Sequence, residues 1–111
     1  NEVNNINEKL LNNELEILQK MNSNENFDHN MVVSKLMNII KTKNNYRDLL
    51  LESSQTFSNY LKDEEMYNKY IADKVDNEFI DTIFDISENY LDDEKVSKEL
   101  NNILCYLCLR I

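Results

Sequence analysis

Apolar side chains recur three or four residues apart along nearly the whole chain, with polar residues filling the gaps. Val3, Ile6, Leu10, Leu11, Leu15, Leu18 and Met21 make one stripe, and Val32, Val33, Leu36, Met37, Ile39 and Ile40 make the next. Leu49, Leu50, Phe57, Tyr60 and Leu61 carry a third, and Met66, Tyr67, Tyr70 and Ile71 a short fourth. Phe79, Ile80, Ile83, Phe84, Ile86 and Tyr90 mark a longer one, followed by Val96, Leu100, Ile103, Leu104 and Leu107. That spacing gathers apolar groups on one side of an α-helix, and no segment alternates as a half-buried strand must. The pattern therefore predicts an all-α chain. Asp28, Asp63 and the pair Asp92-Asp93 stand where helices should start, each offering a carboxylate to free backbone N–H groups.

The stripes also repeat. Advancing 47 positions carries Val32 onto Phe79, Val33 onto Ile80, Leu36 onto Ile83, Met37 onto Phe84, Leu49 onto Val96, Phe57 onto Leu104 and Tyr60 onto Leu107. The match is imperfect, since Ile40 meets Ser87 and Leu50 meets Ser97. A period of that size is the one at which helical solenoid units recur.

Composition sharpens the picture at one point. None of the 111 residues is Gly or Pro, so the residues that break helices and form tight hairpins or phosphate loops are missing. The surplus of Asn points to an AT-rich genome, which accounts for part of that absence but not for the order of the apolar positions.

At Phe57-Ser58-Asn59-Tyr60-Leu61, Asp63-Glu64-Glu65 and Tyr70-Ile71-Ala72-Asp73 the chain resembles the armadillo-repeat family. In that family a third helix ends in a Leu-Ser-Asn-Leu pattern, and a short acidic first helix ending in Ile-Val-Glu follows. The resemblance spans roughly residues 14 to 109. It implies an armadillo/HEAT-like α-solenoid of about two repeats plus a partial N-terminal one, with residues 1–111 a single all-helical repeat domain and a fragment of a longer protein. The chain departs from the family at Val75-Asp76-Asn77-Glu78, where a Gly-Gly and Ile-Pro bend is usual. Tyr106 replaces the ladder Asn that fits at Asn59, and Gln55 and Asn102 stand where nuclear-import receptors carry Trp.

The resemblance also implies a site. Lys95, Glu99, Asn102 and Tyr106 fall at i, i+4, i+7 and i+11, and 47 positions earlier stand Asp48, Glu52, Gln55 and Asn59. These eight would line a concave helical groove, making the chain a protein-interaction scaffold for a peptide or partner protein. The alternative is a structural or host-facing helical bundle with contacts on its outer faces.

Charge narrows the partner. The net charge is −9, and between Asp76 and Glu99 nine acidic side chains face only Lys95 and Lys98. This excludes a nucleic-acid surface and favours a basic partner. No Gly-rich loop, nucleophile motif or convergent acid-base set is present, so an enzyme is not expected, and neither is a cofactor.

Cys105 and Cys108 have C-x-x-C spacing, but zinc needs four ligands and the chain offers one His, His29, and no second cysteine pair. Two small buried thiols and no metal are therefore expected. His29, isolated among Asn and Asp before an apolar helix, is expected to have a surface or near-cap role. No apolar run is long enough for a membrane span, and two cysteines make no disulfide framework, so a reducing compartment is the default and a cytoplasmic chain is expected. The apolar residues Ile103, Leu104, Leu107, Leu109 and Ile111 at the C-terminal end predict a longer repeat protein or self-association there.

Overall fold

A computed structural model describes residues 28–110. The stripe from Val3 to Met21, the partial first repeat read from it, and Ile111 lie outside the described residues. Helix α1 is His29–Thr42 and α2 is Arg47–Lys62. A short α3, Glu64–Met66, runs directly into a π-helical turn, Tyr67–Ile71. Helix α4 is Asn77–Asn89 and α5 is Glu94–Arg110. No strand occurs among the described residues.

Aspartate starts four of these five α-helices. The Asp28 carboxylate accepts from the N–H groups of Asn30 and Met31, and Asp63 accepts from Glu65 and Met66. Asp76 accepts from Phe79 at 2.8 Å and Asp93 from Val96 at 3.3 Å. Each satisfies donors that a helix start leaves without partners. Helix α2 is the exception, beginning at Tyr46 without a side-chain cap. At the end of α1, the Asn44 amide donates to the carbonyls of Ile40 and Lys41. Among the described residues no backbone φ is positive, so these joints are built without the conformation glycine supplies elsewhere.

The π-helical turn has no mark in the apolar pattern. The N–H of Ala72 bonds to the Tyr67 carbonyl at 2.9 Å, one residue farther along than an α-helix allows. The wider turn leaves both Tyr67 and Ile71 buried in the core.

Helix α2 is the centre of the fold. Its most extensive contacts are with α5, followed by those with α1. Leu50, Phe57 and Leu61 are fully buried, and the rings of Phe57 and Phe79 meet edge to face with centroids 5.6 Å apart. Three small residues on α2, Ser53, Ser54 and Ser58, are buried, and their hydroxyls have no hydrogen-bond partner.

Polar contacts fix the register. Arg47 at the start of α2 donates to Asp93 just before α5, at 2.6 and 3.2 Å. Arg110 at the end of α5 donates to the carbonyls of Leu61 and Lys62 at the end of α2, both at 3.2 Å. Matching starts and matching ends mean that α2 and α5 run parallel, side by side. Lys74 likewise reaches Asn30 at 2.9 Å, and the Tyr90 hydroxyl donates to the Asn44 carbonyl. These contacts join residues 44 to 49 positions apart, close to the 47-residue offset of the apolar pattern.

Two expectations about burial fail. Cys105 and Cys108 are exposed, not buried thiols. The buried stripe of α5 is Val96, Leu100, Ile103 and Leu107, and both cysteines fall on a different side of the helix. Phe84 belongs to the apolar pattern of α4 but is 54% exposed, because the buried stripe of that helix is Phe79, Ile83 and Ile86.

Candidate interaction groove

Helix α2 is buried so thoroughly that few of its positions meet solvent. Between Ser53 and Leu61 only Gln55 and Asn59 are exposed, with Glu52 half-buried and Asp48 exposed one and two turns earlier. This narrow line at i, i+4, i+7 and i+11 is the one the sequence singles out on that helix. On α5, Lys95 is exposed while Glu99, Asn102 and Tyr106 are half-buried. Because α2 and α5 lie parallel, the two lines run in the same direction, with Asp48 in register with Lys95 and Asn59 with Tyr106.

Most of these groups remain uncommitted. Asp48 accepts from Arg47 at 2.9 Å, on a side chain that is 81% exposed. Among the described residues, the side chains of Glu52, Gln55, Asn59, Lys95, Glu99, Asn102 and Tyr106 make no hydrogen bond or ion pair. The stripe thus offers carboxylates, amides, one ammonium and one phenol to a ligand. An extended chain, with a donor and an acceptor at every residue, could pair with such a mixture.

Two polar features escape sequence reasoning. The first is the bracket formed by Arg47, Asp93 and Arg110. Hydrogen bonding from Arg47 holds the Asp93 carboxyl below the usual range, and bonding to Asp93 raises the Arg47 guanidinium in turn. Nothing in the local sequence pairs residues 46 positions apart; the 47-residue offset is the one signal that could have found them.

The second is an aromatic clasp. The Tyr60 hydroxyl lies 2.7 Å from Nδ1 of His29, a hydrogen bond, and the His29 ring also packs against Tyr70 with centroids 5.0 Å apart. His29 is thus half-buried, and it stands beside the Asp28 cap as the first residue of α1, the near-cap position that was one of the two expected. Burial, with a smaller contribution from Tyr70, pushes the Tyr60 hydroxyl up to about 12, so it stays protonated at neutral pH. The clasp pins the start of α1 to the end of α2.

An open hollow of about 400 Å³ is lined by Ser34, Met37, Asn38, Lys41 and Lys74. Its lysines are already engaged, Lys74 with Asn30 and the Tyr70 carbonyl, and Lys41 over the Phe79 ring. Among the described residues no three His, Cys, Asp or Glu gather as a metal site would require, and no helix is long and apolar enough to cross a membrane. Comparison of the sequence with protein-family models, curated proteins and solved structures yields no match.

Proposed function

We propose that the chain is a protein-interaction scaffold of the armadillo/HEAT type, in which α1–α2 and α4–α5 are successive units and an extended peptide lies across α2 and α5. The observation that supports this reading is the exposed line on α2. A helix so deeply buried leaves the line Asp48, Glu52, Gln55 and Asn59 available, and parallel to it run Lys95, Glu99, Asn102 and Tyr106. In this reading Asn59 and Asn102 hold the peptide backbone through their amides, Tyr106 gives an apolar wall with a polar tip, and the carboxylates select basic side chains.

The test is a peptide array of extended Lys- and Arg-containing sequences probed with the whole chain, followed by Asn59→Ala and Asn102→Ala on the best binder. Each substitution should weaken binding about tenfold, the loss of one or two hydrogen bonds to a ligand. Binding that is indifferent to both would overturn the groove.

A further inference from the structure

The two units share a pattern but differ in burial on one side. Val33, Met37, Phe57 and Leu61 of the first unit are buried at 5% exposure or less. Their counterparts 47 positions on are Ile80, Phe84, Leu104 and Cys108, of which Ile80 and Leu104 are half-buried and Phe84 and Cys108 exposed. Phe57 meets Phe79 of the next unit and α2 packs most extensively on α5, so on α2 the covered side is the one on which the second unit sits, while α1 packs on α2 and the π-helical turn. The same side of the second unit is an open apolar face.

The charges at its edge identify what would fit there. In the first unit two cations reach across the junction: Lys41 lies over the Phe79 ring and Arg47 bonds Asp93. Their counterparts are Glu88 and Glu94, both exposed acids. Asn30, which accepts from Lys74, has the counterpart Asn77, again an acceptor. Each polar position at the edge that donated or carried positive charge in the first unit is therefore an acid in the second, and the acceptor is kept. Asp81 and Asp85, exposed on α4 three positions before and one after Phe84, add to the same sign.

We propose that this face of α4 and α5 docks a cationic amphipathic helix of another protein, in the position that the second unit takes on the first. Apolar side chains of that helix cover Phe84 and Leu104, and its lysines or arginines meet Glu88 and Glu94. A second copy of this chain is disfavoured, because two molecules of net charge −9 would have to bring acidic surfaces together. The proposal concerns a different surface from the groove and stands apart from it.

The exposed cysteines report occupancy directly, since both thiols are open here while their counterparts in the first unit, Ser58 and Leu61, are buried. The probe is a helical peptide of leucine and lysine at amphipathic spacing, with a leucine-glutamate version as control. Maleimide labelling of both thiols is followed by mass spectrometry on the full chain. The leucine-lysine peptide should slow labelling of Cys105 and Cys108, and the leucine-glutamate peptide should not. Glu88→Lys with Glu94→Lys should weaken the leucine-lysine peptide at least about tenfold, whereas Asp48→Lys with Glu52→Lys, an equal charge change on the groove, should leave it within about twofold. Three results would each overturn the proposal: no protection by the peptide, equal weakening by the two charge reversals, or thiols already unreactive in a chain that sediments as a dimer.

Discussion

Removing the Phe57 ring should cost the chain a large part of its stability. Phe57 is fully buried on α2, and its edge-to-face partner Phe79 belongs to α4. Truncation to Ala withdraws about 150 Å² of apolar surface, which at about 25 cal/mol per Å² amounts to about 4 kcal/mol. The lost aromatic pair adds about 0.5–1 kcal/mol, giving about 4–5 kcal/mol in all, at the upper end for buried Phe→Ala changes. Domains of this size have about 5–15 kcal/mol to lose, so Phe57→Ala should bring the chain close to unfolding at room temperature. Urea unfolding followed by circular dichroism measures the difference, with Phe84→Ala as the matched control. At 54% exposure the control should lose only about 1 kcal/mol. Similar losses for the two variants, or a loss below about 1.5 kcal/mol for Phe57→Ala, would show that the ring does not hold α2 against α4 as described.

Three further predictions concern polar groups. Ser54→Ala should stabilise the chain by about 1 kcal/mol in the same urea assay, because it removes a buried hydroxyl without a partner and inserts a better helix former. The Asp93 carboxyl, held low by Arg47, favours the folded state above its unfolded titration range, and that contribution disappears as pH falls through the folded value. Asp93→Asn should therefore reduce the loss of stability on acidification, seen as a shallower acid limb in melting curves between neutral and strongly acidic pH. Tyr60, buried as the neutral phenol, supports the fold fully below pH 10 and loses that contribution as pH rises towards about 12. Ultraviolet titration should show Tyr60 and Tyr90, both raised by burial, ionising late, and Tyr60→Phe should remove one of the two.

The helices were legible because each rests on local information. Apolar spacing located α1, α2, α4 and α5, and aspartates at 28, 63 and 93 marked starts that the structure bears out. The π-helical turn at Tyr67–Ile71 was not legible, because an extra residue in one turn is decided by which side chains the surrounding core accepts. Burial of individual stripe members was harder to read for the same reason. Phe84 and Cys108 occupy positions whose counterparts, Met37 and Leu61, are core, yet exposure depends on whether a neighbour sits against them, and periodicity carries no such information. The polar lines of the candidate groove could be read as lines, from their i, i+4, i+7 spacing. That α2 and α5 would lie parallel, bracketed by Arg47 and Arg110, required contacts across the whole chain.

Among the described residues the joints between helices contain no positive φ, so none of them depends on the backbone freedom of glycine. Such joints do not themselves dictate the angle at which helices meet. The angles are instead set by what fills the space between helices, such as Phe57 against Phe79 and the small buried side chains of Ser54 and Ser58 on α2. For the proposed groove, selection on the curvature of the surface would leave its mark in the interior, and substitutions far from the two polar lines would retune which peptides fit.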